Sequence, residues 1–372
     1  MRLNIVLILL DGSRWDRLNI STNFTDIRKN GYLMNNISTT IPYTVGSVNC
    51  LFSGLYGKDN GIDAYYKVLS LKDSVRTLTE ILHDHGYFTS CDLLHDKILS
   101  TRGFDIHQAH DEYKDNLLLR HTEFLEKCFT TANNKPLFCF LHFTHIHKIT
   151  VSEILEKYDW DDDEFYENKE RNLKKYDEAF LHASLYTKKI LNKITQLKKN
   201  ENTLIVIFSD HGTGIGERFG ERNYGSFTYD ETIRTFFLFL GPTIQKNKIS
   251  EKLYSNIDIL PTILDLLNIK ENISLPGVSI SESLQGNDDF SNERLVTYSE
   301  TGALHGPFPS PEKPNVFCIK SKKYKLIYLK TPEQWKLYDL ENDPKEQKNI
   351  FGTGISEEDE LKSKLLIWIN RD

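Results

Sequence analysis

Residues 2–10 (RLNIVLILL) form a nearly unbroken apolar run, and the pattern returns at residues 138–143 (FCFLHF), 203–208 (TLIVIF) and 235–240 (TFFLFL). Short apolar runs of this kind suit strands of a parallel sheet buried on both faces. Between them, residues 74–85, 116–131 and 170–199 carry helical patterns. Strands alternating with helices predict an α/β fold, a mostly parallel central sheet with helices on both faces. From about residue 291 the pattern changes. Residues 295–300, 317–319, 324–328 and 335–340 read as short strands, followed by a helix over 357–369. The expected organisation is a core over residues 1–290 and a small antiparallel unit over 291–372 packed on it. The very polar stretch 159–169 reads as a surface insertion or lid.

Composition narrows the function classes. The 372 residues carry a formal net charge of −7, without the basic footprint of a general nucleic-acid binder. An acidic chain can still hold a basic pocket, so an anionic substrate stays open. The apolar opening runs straight into Asp11-Gly12-Ser13-Arg14 without a small-residue cleavage site, and it is too short to span a bilayer. It is therefore expected to be a buried first strand in a cytoplasmic protein with no transmembrane segment. The five cysteines (Cys50, Cys91, Cys128, Cys139, Cys318) are scattered and lack metal spacing, as expected of reduced, buried thiols.

In sheets of this type ligands bind beyond the carboxyl ends of the strands. Polar clusters follow three of the runs: Asp11, the group His142/His145/His147, and Ser209-Asp210-His211-Gly212. A strand-end Asp is often only a turn residue or a cap, and Asp16, paired with Arg14 or Arg17, reads as structural. Adjacent Asp210 and His211 offer a carboxylate oxygen and an imidazole nitrogen. That donor set suits zinc or manganese better than calcium, with magnesium a further alternative. Residues 39–57 (TTIPYTVGSVNCLFSGLYG) read as a loop entering a helix near Gly46 or Ser47. A hydroxyl at a helix N-terminus faces free N–H groups, and bound to a metal it becomes a nucleophile at neutral pH. On residues alone, Thr44, Ser47 and Ser53 remain rivals for that role. Strand alternation would place His145 and His147 on one side and His142 opposite, as a core histidine.

Several stretches resemble the sulfatase family of the alkaline phosphatase superfamily. LNIVLILLDGSRWDRL is similar to the family's opening strand and metal-binding Asp. Leu51-Phe52-Ser53-Gly54 resembles the Leu-Leu-Thr-Gly-like tetrad that ends the family's nucleophile helix, and counting ten residues back from Gly54 gives Thr44. GFD at 103–105, FTHIH at 143–147, IFSDHG at 207–212, YDETIRTFFLFLGP at 229–242, DILPTILDLL at 258–267 and, near the end, KYKLIYL and KLYDLENDP also fit. Two departures stand out. Sulfatases proper carry a Cys or Ser in a C/S-x-P-x-R motif that is converted to formylglycine; here Thr44, Gly46 and Val48 stand in its place. Gly12 replaces the second acid of the family's Asp-Asp pair.

The threonine resembles the phosphodiesterase, phosphoglycerol transferase and phosphoethanolamine transferase branches. The resemblance implies a metal site of Asp11, Thr44, Asp210 and His211, catalysis by Thr44 with His147, and Arg218 or Arg222 gripping the tetrahedral anion. His145, beside His147, is a further substrate-side candidate, and His305 a candidate substrate contact, second-metal ligand or leaving-group acid, with no full ligand set for a second metal in the sequence. It implies a hydrolase or transferase for phosphate mono- or diesters. The alternatives are a sulfate-ester hydrolase without formylglycine and a non-catalytic member binding an anion. Expected partners are a small-molecule, glycan or lipid-headgroup ester and a second copy of the chain, with no nucleic acid.

Overall fold

The computed structural model describes residues 2–65, 71–157, 163–287, 294–302 and 312–371. Its main sheet has nine strands: β1 (Asn4–Leu10), β2 (Gly31–Ser38), β3 (Phe88–Leu93), β4 (Ile106–Ala109), β5 (Leu137–Phe143), β6 (Thr203–Phe208), β7 (Arg234–Leu240), β8 (Lys248–Ser250) and β9 (Tyr254–Ser255). The order is β4-β3-β5-β1-β6-β7-β2-β8, with β9 also on β2. The five strands from β4 to β6 run parallel, and β7 is antiparallel to β6. The TFFLFL run thus forms a buried strand of reversed direction. Its apolar pattern reports burial on both faces and carries no information about polarity.

Strand β1 shows why both faces must be covered. Ile5, Leu7 and Leu9 belong to one apolar cluster and Val6, Ile8 and Leu10 to the other. Helices Thr44–Ser53, Leu78–Asp84 and Ile259–Leu266 cover the first face, while Leu117–Ala132 and Lys169–Gln196 cover the second. Leu78–Asp84 starts later than its pattern suggests. Thr77 and Glu80 form a capping box that fixes the start.

The second sheet is antiparallel, in the order β10 (Val296–Thr301), β11 (Val316–Ser321), β12 (Tyr324–Leu329), β13 (Gln334–Asp339), and is covered by helix Ser356–Ile369. It is sewn to the segment leading into helix Thr44–Ser53. Glu300 N donates to Thr40 O at 2.8 Å, and Ser299 Oγ to Thr39 O at 2.6 Å. In the polar stretch, residues 158–162 lie outside the described residues. Glu164–Glu167 is one short helical turn whose Phe165 is fully buried, and Lys169 opens the long helix.

Candidate metal and anion site

Strands β1 and β6 are parallel neighbours with Leu9 opposite Phe208, so Asp11 and Asp210 leave the sheet side by side. Helix Thr44–Ser53 points its N-terminus at them. Tyr43 is extended (φ −154°, ψ 152°) and makes no side-chain cap, so Thr44 is the first helical residue and not the N-cap. Its hydroxyl is therefore not spent on the helix. Thr44 Oγ1 lies 3.4 Å from Asp11 Oδ2 and 3.3 Å from His211 Nε2. The rival hydroxyls are engaged elsewhere. Ser47 Oγ donates to Asp210 O at 2.8 Å, tying the helix to the end of β6, and Ser53 Oγ donates to Asn49 O at 2.6 Å.

The charge balance of this cluster is incomplete. Asp210 Oδ1 accepts from His211 N at 2.9 Å and Gly12 N at 3.3 Å, but Asp210 Oδ2 and Asp11 Oδ1 are buried without a hydrogen-bond partner. Burial pushes the Asp210 carboxyl above the usual range, aided by the Asp11 charge despite His211. Burial acts the same way on Asp11, but the His142 hydrogen bond and the charges of His147, His142 and His211 outweigh it and hold that carboxyl well below the usual range. His211 Nδ1 lies 2.7 Å from Gly212 O, which fixes the proton there and leaves the Nε2 lone pair facing Thr44. Ligand atoms of Asp11, Asp210 and His211 lie within 4.8 Å of one another. Two orphaned carboxylate oxygens and an imidazole lone pair aimed at one point fit a divalent cation, the species that would satisfy all three.

Gly12 explains the missing second acid. Its φ is +67°, and a Cβ there would sit 2.8 Å from Thr213 Oγ1, which itself donates to Gly12 O at 2.7 Å. A side chain at this position would have to displace Thr213 as well as adopt a left-handed backbone.

The histidines are arranged differently from the alternation argument. The strand ends at Phe143, and His145–Ile149 is a helical turn. His147 points toward the cluster, with Nδ1 3.2 Å from Glu112 Oε2 and Nε2 3.4 Å from Tyr224 Oη. Burial would lower its pKa, but the Glu112 hydrogen bond and the charges of Asp11, Glu112 and Asp210 raise it to about 9, so it is a cation at neutral pH. The Tyr224 ring packs on His211, centroids 4.3 Å apart. His145 instead packs on His182, centroids 4.1 Å apart; burial and His182 bring its pKa down to about 4. A residue two positions away on a helix faces another direction, which separates the pair. His142 is fully buried, yet its Nε2 sits 2.8 Å from Asp11 Oδ2. It is a core histidine satisfied by the site's own carboxylate.

Arg218 is not brought to the cluster. It binds Glu231 at 2.7 Å and the carbonyl oxygens of Lys345 and Glu346, and lies over the Tyr229 ring. The Arg222 guanidinium lies 5.0 Å from the Phe165 ring centroid, against the start of the long-helix region. His305 falls outside the described residues. Glu112 and Tyr224 carry no sequence signal: one sits in a polar turn, the other in an irregular loop, and only folding brings them to His147.

Residues 3–269 match the family model "Sulfatase", and residues 220–370 match "N-sulphoglucosamine sulphohydrolase, C-terminal". The chain is 29% identical over 191 residues to the Delta 4,5-hexuronate-2-O-sulfatase of Bacteroides thetaiotaomicron, covering 49% of this chain and 38% of that one. The match thus spans well under half the length of that relative. A solved 2-O GAG sulfatase superposes with a TM-score of 0.81 at 19% identity, over 99% of this chain and 92% of its own. A second structure, in complex with its substrate D-glucosamine-2-N,6-O-disulfate, has a TM-score of 0.75 at 18% identity, covering 98% and 97%. At these identities the two structures show the fold. None of the three is a phosphodiesterase or a headgroup transferase, so the resemblance to those branches finds no counterpart among them. The family generally binds a divalent metal, in keeping with the fit above. With the family model matching from β1 through helix Ile259–Leu266, the chain belongs to the sulfatase family.

Proposed function

We propose that this site hydrolyses an anionic ester of a tetrahedral oxyanion, with Thr44 as nucleophile and a divalent ion, zinc or manganese, held by Asp11, Asp210, His211 and Thr44. The observation that carries the reading is the Thr44 hydroxyl, unused as a cap and placed 3.4 Å from Asp11 and 3.3 Å from His211 beside two orphaned carboxylate oxygens. When bound, the ion lowers the pKa of the hydroxyl it touches. The chain does the rest. His142 holds Asp11, the Gly212 carbonyl fixes the His211 tautomer, and Ser47 fixes the helix against β6. Helix Thr44–Ser53 presents free N–H groups to the oxyanion. His147, kept cationic by Glu112, faces the same charge and can protonate the departing oxygen. Thr44 Oγ, its proton already lost to solvent, bonds to the central atom as the ester oxygen leaves with the His147 proton. Water then displaces Thr44, its hydroxyl joining the central atom and its other proton returning to His147.

Phosphorus esters are the favoured substrates on chemical grounds. A formylglycine hydrate expels sulfate by collapsing to the aldehyde, and a threonine sulfate has no such exit. The second reading, sulfate-ester hydrolysis through unmodified Thr44, is favoured by the names of the relatives, which act on sulfated sugars. In either case a sugar, glycan or lipid-headgroup ester is the proposed substrate, with transfer to an alcohol replacing hydrolysis if an acceptor occupies the water position. We place the reaction in the cytoplasm, supported by five cysteines that are all buried and free. Aryl phosphate, phosphodiester and aryl sulfate turnover, measured side by side with zinc and manganese, tests the reading. Faster phosphorus-ester turnover is expected, and faster sulfate-ester turnover would replace it with the second reading.

A further inference from the structure

A second buried group of ligating side chains stands beyond the residues used above. Asp92 lies on β3, His110 directly follows β4, and His121 lies on helix Leu117–Ala132. Asp92 and His121 are wholly buried and His110 is 5% exposed. One ligand-type atom from each lies within 4.8 Å of the other two.

The surroundings already have the form of an outer shell. Asp92 Oδ2 accepts from Arg120 Nε at 2.6 Å, which leaves Oδ1 as the single oxygen turned to His110 Nδ1, 2.9 Å away. His121 Nδ1 sits 2.6 Å from Tyr186 Oη. His121 Nε2 is buried without any hydrogen-bond partner, and in the tautomer that donates from Nδ1 to Tyr186 Oη it is a lone pair. A metal-bound imidazole commonly has its second nitrogen fixed by an outer partner in this way. The Asp92–Arg120 ion pair accounts for the carboxylate but not for the orphaned nitrogen, and a buried polar atom without a partner is costly.

We infer that Asp92, His110 and His121 form a second divalent-cation site, of zinc type, that pins β3, the end of β4 and helix Leu117–Ala132 together. Two imidazole nitrogens and one carboxylate oxygen are a three-ligand set typical of zinc, with water in the fourth position. Loading it needs no net loss of a proton. The His110 proton moves from Nδ1 to Nε2, which already faces Thr144 Oγ1 at 3.4 Å, and the freed Nδ1 lone pair and Asp92 Oδ1 then share the ion. The site shares no ligand with Asp11, Asp210 and His211; the His142 ring, which holds Asp11, lies between them, 6.1 Å from that of His110.

Metal content of the purified full-length chain tests it. The protein is stripped with a chelator, dialysed against zinc and analysed by elemental mass spectrometry. Two equivalents per chain are expected in the wild type, one in Asp210→Asn, one in His121→Gln and none in the double variant. In Asp210→Asn loaded with Co²⁺, the visible bands of a tetrahedral nitrogen–oxygen site should appear, and the His121→Gln change should remove them. Should His121→Gln fail to fold, the Asp210→Asn protein decides alone: one equivalent with those bands supports the site. Asp210→Asn holding no metal, or a folded His121→Gln holding two equivalents, would overturn it. Failure of the proposed reaction would leave these counts unchanged.

Discussion

Two buried charged clusters in this chain differ in one respect that separates holding from doing. Where the two sheets meet, Asp230 receives Lys320 at 2.9 Å and also Lys325, and Lys325 reaches Glu346 at 2.7 Å. Every charge there has an opposite partner, and Arg218, with Glu231 and two carbonyls, extends the same junction. At the ends of β1 and β6, Asp11 and Asp210 stand together with one oxygen each lacking a hydrogen-bond partner, and those two oxygens face the single His211 ring nitrogen at 3.7 and 3.5 Å. The first cluster is complete and works as a clasp. The second is complete only with a cation, and natural folds keep such unsatisfied groups where a ligand repays the cost.

The comparison is broken most severely at Asp210. Asp210→Asn is expected to abolish metal binding and turnover at the first site. In the metal-free state it should not destabilise the fold. The folded-state pKa of Asp210 is raised, so its charge costs stability as pH rises above the ordinary carboxylate range, and removing the charge relieves that cost. Thermal midpoints with and without zinc check this. The wild type should gain stability on zinc addition, by about 2.7 kcal/mol at a hundredfold excess over Kd, and the variant should lose the gain arising from this site. A metal-free variant much less stable than wild type would make Asp210 a structural residue.

Lys325→Met should show the reverse profile. It leaves Glu346 in the interior without Lys325, while Asp230 keeps Lys320, and should cost about 3–5 kcal/mol in denaturant unfolding, while zinc stoichiometry is kept by whatever fraction remains folded. Loss of bound zinc from folded Lys325→Met would join the two clusters into one functional unit.

The next effect is a shift in pH dependence. His147 has a raised folded-state pKa, so its positive charge, and the stability that it contributes, are present at and below neutral pH and lost as pH rises through about 9. Turnover should fall on that alkaline limb. A bound cation offsets Asp11 and Asp210, leaving Glu112 as the partner that keeps the proton. Glu112→Gln should therefore move the limb to lower pH, with KM rising more than kcat falls. An unmoved limb would remove Glu112 from the account. The smallest change is expected for Arg218→Ala: about 1–3 kcal/mol of stability and little loss of turnover.

What the sequence made legible follows from how each element is coded. Strands β1, β5 and β6 are apolar runs because both faces are buried, and their ends announce Asp11 and the Asp210-His211 pair. Strand β2 (GYLMNNIS) is interrupted by Asn35-Asn36, where its register shifts against β7, and β3 (FTSCDL) carries Ser90 and Asp92, so neither shows a clean period. The antiparallel course of β7 is invisible in its composition. Thr44 reads locally as a cap, because the extended Tyr43 that frees it is set by packing at the start of the helix. Arg218 and Arg222 could not be separated on spacing alone; the carbonyls that hold Arg218 come from residues more than a hundred positions downstream.

The central claim is that Thr44 makes the covalent bond. The most direct measurement is kcat/KM of the zinc-loaded wild type and Thr44→Ala on an aryl phosphate, with circular dichroism to show both folded. Since Thr44 does not cap its helix, the variant should keep its stability and lose turnover by on the order of 10⁴-fold or more, because the other hydroxyls of its helix, Ser47 and Ser53, are engaged elsewhere. Thr44→Ala retaining most of the wild-type rate would contradict the account.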